Sequence, residues 1–214
     1  MLYYEEVFLS IQGETTDMGK PCIFVRLHGC PIQCVYCDQK QSPSNKHKAS
    51  IETIVNKVKK FKGCKRVCIT GGEPLIYKND LLPLVYELQY EGYSVSIETS
   101  GCLPIEDEYH YRRDYKYIMD VKCPCSGVTH KNIYENLLKL HTTDEVVFVL
   151  AYKKDYAYMK DVLKKYPTSA QVLLSPMFSE DGKNVIGSDL VKWMLQDQLD
   201  YRIQIQLHKI LGVS

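Results

Sequence analysis

The sequence predicts an α/β fold, a partial or reduced (β/α) barrel with mostly parallel strands. The first observation is that strand-like and helix-like segments alternate along the 214 residues, which favours parallel strands joined by crossovers. The second is that some seven strands are accompanied by few helices, too few for a complete eight-fold barrel. The third is that a cysteine-rich or polar motif follows each of the first four core strands, where barrel enzymes place their chemistry.

The first elements follow from an apolar run and from helical periodicity. Residues 22–29 (CIFVRLHG) predict a short buried strand that runs into a cysteine loop. Ser50 is the expected N-cap of a helix that ends near Gly63. The apolar face of this helix consists of Ile51, Ile54, Val55, Val58 and Phe61. Residues 66–74 (RVCITGGEP) predict a strand that ends in a double-glycine loop.

The remaining elements continue the alternation. Residues 79–92 predict a helix, and Pro83 is expected near its first turn because proline is tolerated there. Further strands are predicted at 93–101, 115–122, 145–150, 171–176 and 201–208, and further helices at 132–140, 155–166 and 188–198. The sequence contains no linker, low-complexity tract or long-period repeat. We therefore expect a single domain over residues 1–214.

Composition excludes several classes of protein. A formal net charge of +1 provides no general attraction to nucleic acid or to an anionic membrane, and the lysine-rich segment 57–66 is interpreted as the solvated face of a helix. The N-terminus has acids where a signal peptide needs basic residues, and no apolar run is long enough to span a bilayer. Nine cysteines, an odd number, do not indicate a disulfide framework. We expect a cytoplasmic protein with no nucleic-acid or membrane partner.

The segment GCPIQCVYCD contains the most informative residues, Cys30, Cys34 and Cys37. Three thiolates on one loop can hold three corners of a 4Fe–4S cube and leave the fourth iron open for a small molecule. The alternative is a zinc site, which needs a fourth ligand such as Cys22 or His28.

A second cluster is a further alternative. Cys64, Cys68, Cys123 and Cys125 provide four more thiols, but their spacing differs from that of ferredoxins. Cys68 also lies in an apolar strand, where cysteine behaves as a small hydrophobic residue. We therefore favour one cluster.

The cysteine spacing, the aromatic Tyr36 before the last cysteine, and GGEP some thirty residues later resemble the radical S-adenosylmethionine (SAM) superfamily. The resemblance implies that SAM binds the open iron and is cleaved by one electron to methionine and a 5′-deoxyadenosyl radical. Several residues at strand ends suit such a ligand, although hydroxyl groups there also serve as caps and turn residues. The candidate SAM-binding residues are Tyr36, Gly71, Gly72, Glu73, Thr99, Ser100, Lys122 and Ser126.

A more specific resemblance extends over nearly the whole chain. The pieces SIQGE, FVRLHGC, CVYCD, TGGEP, ETSG, DVKCP, LSP and IQIQLHK are similar to the 7-carboxy-7-deazaguanine synthase family of queuosine-type 7-deazapurine biosynthesis. This resemblance implies a carbon–nitrogen lyase that contracts the ring of 6-carboxy-5,6,7,8-tetrahydropterin, releases ammonia and regenerates SAM. A reducing partner such as flavodoxin or ferredoxin, and a homodimer, are implied in the same way.

Several residues suit a carboxylated pterin. Arg26 can bind a carboxylate in bidentate fashion, and Gln12 and Glu14 can hydrogen bond to the amino-pyrimidine edge. Alternatively, Arg26 pairs with an acid, Gln12 and Glu14 are turn residues, and His208 is an ordinary surface residue. The candidate substrate-binding residues are Gln12, Gly13, Glu14, Arg26, Thr70, His208 and Ser214, the last through its carboxylate.

One position departs from the family pattern. The family has a hydroxyl residue directly after CD that helps to hold Mg²⁺, and here that position is Gln39. A glutamine carbonyl is a suitable oxygen ligand but reaches farther, so Mg²⁺ use or an altered metal dependence both remain open. Two other functions also remain open at this stage: a radical SAM activase that generates a glycyl radical on a partner protein, and a non-enzymatic iron–sulfur or zinc module.

Overall fold

A computed structural model of the chain describes residues 1–37, 39, 46–106, 115–178 and 185–213. Within these ranges one sheet contains β1 (Leu2–Ile11), β2 (Pro21–Leu27), β3 (His47–Ala49), β4 (Arg66–Gly71), β5 (Ser94–Thr99), β6 (Tyr115–Asp120), β7 (Glu145–Leu150), β8 (Gln171–Pro176) and β9 (Arg202–Ile203). Their order is β3-β1-β2-β4-β5-β6-β7-β8-β9. β1 is antiparallel to both of its neighbours, and all pairs from β2 to β9 are parallel. The predicted partial α/β barrel with mostly parallel strands is confirmed.

The sequence prediction missed β1 and β3. β1 carries two adjacent glutamates, and its register shifts between Tyr4 and Glu6. This irregularity interrupts the alternation of apolar and polar residues by which a half-buried strand is recognised. The three-residue β3 is too short to produce a periodic signal.

The helices are α1 (Ile51–Val58), α2 (Lys78–Tyr90), α3 (Lys153–Lys165), α4 (Gly187–Gln196) and α5 (Leu207–Leu211). Ser50 caps α1 as predicted, because its side chain accepts a hydrogen bond from the Thr53 N–H at 3.2 Å. The position predicted for Pro83 was wrong. A 3₁₀ turn (Pro74–Tyr77) precedes α2 and brings the helix start forward, so Pro83 lies in the second turn. Pro83 is exposed there, and water can reach the carbonyl that it leaves unpaired.

Two further predicted elements differ from the structure. Residues 132–140 are not an α-helix; this region contains the 3₁₀ segment Tyr134–Lys139, and another 3₁₀ segment, Thr129–Lys131, lies just before it. The Ile133 N–H between them bonds to a carbonyl of another loop instead of continuing a helix. The predicted last strand shortens to β9 and is followed by α5, because the Leu207 N–H bonds to the Gly13 carbonyl at 2.8 Å and draws the chain out of the sheet.

The main hydrophobic core lies between one face of the sheet and the helices. It includes Leu27, Ile69, Ile97 and Phe148 from the strands, packed with residues such as Leu84 of α2. The opposite face carries two smaller apolar clusters, one around Phe24 and Cys68 and the other around Ile118 and Val147. That second face is concave and borders a cavity. None of the helices in the described ranges has the length and hydropathy that a bilayer crossing requires.

Candidate active site

A cavity of about 400 Å³ opens at the carboxyl ends of the parallel strands. Residues from β2, β4, β5, β6 and β7 line it, together with the cysteine loop, the loop after β1 and the C-terminal segment. The cavity therefore collects residues from distant parts of the chain. Sixteen predicted site residues line it: Gln12, Gly13, Glu14, Arg26, Cys30, Cys34, Tyr36, Cys37, Gln39, Thr70, Gly71, Gly72, Thr99, Ser100, Lys122 and His208.

The cysteine loop brings its three thiols to one wall of this cavity. The Cys37 N–H bonds to the Cys34 carbonyl at 3.2 Å, which closes a turn between two of them, and all three thiols are free. Burial raises the pKa of the Cys30 and Cys34 thiols. Metal binding deprotonates such thiols, so the donor set fits an iron–sulfur cluster.

The structure does not favour the zinc alternative. A zinc site in the cysteine loop needs a fourth ligand beside the three thiols. The proposed fourth ligands lie elsewhere. Cys22 is buried near the start of β2, at the end opposite to the cysteine loop, and the His28 ring lies 2.9 Å from Glu5.

The double-glycine loop is joined directly to the cysteine loop. The Glu73 N–H bonds to the Gly29 carbonyl at 2.8 Å, and the Gly72 N–H bonds to the Leu27 carbonyl at 3.0 Å. Gly71 has φ +121°, and a Cβ atom there would lie 2.2 Å from the Leu27 carbonyl oxygen. Only glycine permits this approach, and the approach places the two motifs side by side.

Glu73 is buried and does not line the cavity. Its carboxylate accepts hydrogen bonds from the Thr99 hydroxyl at 2.7 Å, from the Ser100 N–H at 2.8 Å and from the Leu75 N–H at 3.0 Å. A buried carboxylate with several donors is a strong structural tie. In this structure Glu73 holds the GGEP and ETSG loops together.

Ser126 is likewise buried and outside the cavity lining. Its hydroxyl donates to the Cys123 carbonyl at 2.6 Å, as a turn residue does. The Ser126 carbonyl accepts the Val35 N–H at 3.0 Å. Ser126 therefore supports the cysteine loop through its backbone.

Lys122 and Tyr36 line the cavity beside each other. The Lys122 ammonium donates to an Asp120 oxygen at 2.6 Å and lies 5.8 Å from the Tyr36 ring centre. Burial lowers the pKa of Lys122, but the negative charges of Asp120 and Cys34 outweigh burial, so the net pKa is raised. Lys122 is therefore a buried cation. Among the described residues the buried Tyr36 hydroxyl has no hydrogen-bond partner, which leaves it available to a ligand.

Polar side chains from neighbouring strands form the floor of the cavity. The Thr70 hydroxyl donates to Glu98 at 2.7 Å, and the Gln12 amide donates to the same carboxylate at 3.3 Å. Sequence reasoning missed Glu98 and Asp120 as site residues. A usable signal was present, because Glu98 and Asp120 each lie near the carboxyl end of a predicted strand, as Thr70 does.

Arg26 lies beside this floor on β2. It is directly paired with Thr70 in the sheet register, and its Nε donates to Glu6 at 2.9 Å. The Glu6 side chain is 53% exposed and that of Arg26 only 14%, so the acid of this ion pair is open to water while the guanidinium is largely covered.

The C-terminal segment closes the cavity against the loop after β1. The Glu14 carboxylate accepts from the amides of Gln204 at 2.9 Å and Gln206 at 2.7 Å. The His208 ring packs so closely on Gly13 that a Cβ atom there would lie 2.0 Å from its Nδ1. Ser214, the other predicted C-terminal site residue, lies outside the described residues.

Comparisons with known proteins agree with this geometry. The family model described as the radical SAM superfamily matches residues 24–150. The chain is 36% identical to 7-carboxy-7-deazaguanine synthase of Koribacter versatilis, over 96% of this chain and 95% of that protein. It is 38% identical to 7-carboxy-7-deazaguanine synthase of Methanospirillum hungatei, over 97% of this chain and 84% of that protein. The crystal structure of QueE from Escherichia coli matches the fold with a TM-score of 0.78 at 23% identity, over 97% of this chain and 94% of that one.

Proposed function

This chain belongs to the radical SAM superfamily and, within it, to the 7-carboxy-7-deazaguanine synthase family, and from that premise we propose which residues carry the reaction. The chain is a radical SAM lyase that converts 6-carboxy-5,6,7,8-tetrahydropterin to 7-carboxy-7-deazaguanine with loss of ammonia. The observation that carries the assignment of residues is the direct backbone link between the cysteine loop and the double-glycine loop at one cavity.

Cys30, Cys34 and Cys37 would hold the 4Fe–4S cluster. When bound, the cluster and SAM supply a 5′-deoxyadenosyl radical. Gly71 and Gly72 let backbone approach the methionyl end of SAM, and the remaining SAM contacts come from the cavity-lining candidates Tyr36, Thr99, Ser100 and Lys122. Glu73 and Ser126 act indirectly, because their side chains bond to protein groups that shape the two loops.

The pterin would occupy the side of the cavity between β2 and the C-terminal segment. Arg26 binds the carboxylate by exchanging its exposed partner Glu6. Gln12, Glu14 and Thr70 present hydrogen-bonding groups to the amino-pyrimidine edge, and Glu98 adds a further acceptor beside them. Gly13 leaves room for the His208 ring to close over this end, and we retain Ser214 as a candidate there.

Several wider properties are also part of the proposal. Gln39 lines the cavity and offers a carbonyl oxygen to Mg²⁺, which prefers hard oxygen ligands. The cluster requires a reducing partner such as flavodoxin or ferredoxin. Nine free cysteines suit the reducing cytoplasm. We expect residues 1–214 to form one catalytic domain, since the cavity draws on residues near both ends of this range. We also expect a homodimer.

Anaerobic reconstitution followed by turnover tests this function. The protein should take up about four irons per chain, and SAM should change the electron paramagnetic resonance (EPR) spectrum of the reduced cluster. Addition of carboxytetrahydropterin and reductant should then produce deazapurine absorbance, measured with and without Mg²⁺. Zinc uptake without iron would exclude the enzyme. SAM cleavage without any pterin product would favour the glycyl-radical activase instead.

A further inference from the structure

Asn132 forms a two-point clamp on the backbone of Lys122. The Lys122 N–H donates to the Asn132 Oδ1 at 3.0 Å, and the Asn132 Nδ2 donates to the Lys122 carbonyl at 2.9 Å. These two bonds reproduce the pairing that a neighbouring strand would make with an extended residue. Asn132 thus acts as a short extension of the sheet at a single residue.

Lys122 needs such a partner because the sheet ends just before it. β6 ends at Asp120, and the Val121 N–H bonds to the Val147 carbonyl at 2.9 Å. Two residues beyond the strand, a buried backbone would lose hydrogen bonds unless another group supplied them. Without Asn132 the chain could turn at Lys122, and the ammonium would leave the cavity wall beside Asp120.

The orientation of the Asn132 amide is determined by its surroundings. Nδ2 also donates to the Tyr158 hydroxyl at 3.0 Å, and this hydroxyl lies 2.6 Å from the Tyr134 hydroxyl. The amide nitrogen therefore has three oxygen partners, the third being the Tyr134 hydroxyl at 3.5 Å, while the amide oxygen has an N–H partner. A flipped amide would place like groups against each other, so a single arrangement is stable.

We propose that Asn132 is a positioning residue that aligns the Lys122 ammonium with the SAM side of the cavity through the Lys122 backbone. This inference rests on the proposed function of Lys122. Asn132 itself does not line the cavity. The effect on SAM binding that it exerts through the ammonium therefore disappears when the ammonium is absent.

Asn136 provides a matched control from the same segment. It is a fully buried asparagine, whereas Asn132 is half-buried, and its amide bonds to the backbone of the adjacent loop, namely to the Gly101 and Leu103 carbonyls and the Ile105 N–H. It has no hydrogen bond to Lys122 among the described residues. Substitution of Asn136 should affect stability as much as substitution of Asn132, but it should not be coupled to Lys122.

The test is a double-mutant cycle on the SAM dissociation constant of the reconstituted protein, measured by EPR titration without pterin. Asn132→Leu should raise the dissociation constant about tenfold, the size typical of a lost supporting contact. Lys122→Met should raise it at least as much, and the double variant should be no worse than Lys122→Met alone. Asn136→Leu should change the SAM dissociation constant by the same factor in the wild type and in Lys122→Met. Additive effects of Asn132→Leu and Lys122→Met would overturn the proposal.

Two further measurements keep the proposal testable in every case. Hydrogen exchange at the Lys122 amide, followed in the cluster-free chain, should become faster in Asn132→Leu and remain slow in Asn136→Leu. If Asn132→Leu does not fold, Asn132→Asp replaces it in the cycle, because a carboxylate still accepts the Lys122 N–H while its second oxygen opposes the Lys122 carbonyl and breaks the clamp. If Lys122→Met had a normal SAM dissociation constant and a raised pterin KM, Lys122 would lie on the substrate side of the cavity, and the inference would be overturned.

These measurements separate the inference from the proposed function. SAM binding and hydrogen exchange require no turnover. A wild-type protein that binds SAM but forms no deazapurine would contradict the function alone. A wild-type protein that turns over while the cycle is additive would contradict the inference alone.

Discussion

Substitution of Gly13 by alanine should damage the pterin end of the cavity while leaving the fold intact. The added Cβ would lie 2.0 Å from the His208 Nδ1, whereas ordinary van der Waals contact begins at 3.4 Å. The ring must therefore retreat by about 1.4 Å, and a displacement of about 1 Å in a positioning group can cost about 100-fold in rate. We expect a loss of that order in kcat/KM for the pterin and little change in SAM binding.

The stability cost should be much smaller than the kinetic cost. Retreat of the C-terminal segment threatens the hydrogen bond from the Leu207 N–H to the Gly13 carbonyl, worth about 1 kcal/mol. In a chain of this size that loss lowers the Tm by about 2–4 °C. Steady-state kinetics and thermal denaturation measure the two effects separately.

His208→Ala provides the control for this experiment. Without the imidazole ring only the His208 Cβ remains close, at 2.9 Å instead of 2.0 Å, so Gly13→Ala should cause a much smaller further loss in a His208→Ala background. A Gly13→Ala enzyme whose kcat/KM stays within twofold of the wild type would refute the reasoning. The same conclusion would follow if the two substitutions reduced kcat/KM independently.

Three other predictions concern the Glu73 carboxylate, the number of iron–sulfur clusters and the Asp17 carboxylate. Glu73→Gln places an amide nitrogen against hydroxyl and N–H donors, so urea denaturation should show a loss of about 2 kcal/mol, and an unchanged midpoint would contradict the tie between the loops. Cys37→Ala should lose bound iron whereas Cys125→Ala should retain it, and iron loss in both variants would argue for a second cluster. Burial raises the pKa of Asp17, but the hydrogen bonds and charges of two lysines outweigh burial, so the net pKa is lowered below 3.8. The Asp17 carboxylate therefore stabilises the fold at pH values above the pKa that it has in the unfolded chain. That stability is lost as the pH falls through the depressed pKa, and Asp17→Asn should flatten the acid limb of a Tm-against-pH profile relative to the wild type.

The sequence was sufficient to predict the strands and helices with a regular pattern. Ser50 caps α1 as expected, because an N-cap requires only that a side chain be three residues from an N–H. Long-range partners explain the errors. The 3₁₀ segments replace a helix where the Ile133 N–H bonds to Gly101, and α5 follows a shortened β9 where the Leu207 N–H bonds to Gly13.

In the candidate site, too, local patterns could be predicted from the sequence and the effects of long-range partners could not. The cysteine spacing and the double glycine indicated their chemistry locally, and sixteen predicted residues do line one cavity. The indirect roles of Glu73 and Ser126 were not predictable from the sequence, since both residues carry groups that could equally contact a ligand. Glu98 was missed although it lies near the carboxyl end of a predicted strand, because only the tertiary structure shows that it shares the cavity floor with Thr70.

The sequence by itself determined which chemistry the chain can perform. Three thiols within eight residues and two adjacent glycines are properties of the covalent order, and they need no distant partner to be recognised. Only the tertiary structure decided which side chains face the ligand and which hold the loops. A polar side chain is directed by the donors and acceptors that surround it, and here those groups come from segments far apart in the chain, as Glu14 and Gln206 demonstrate.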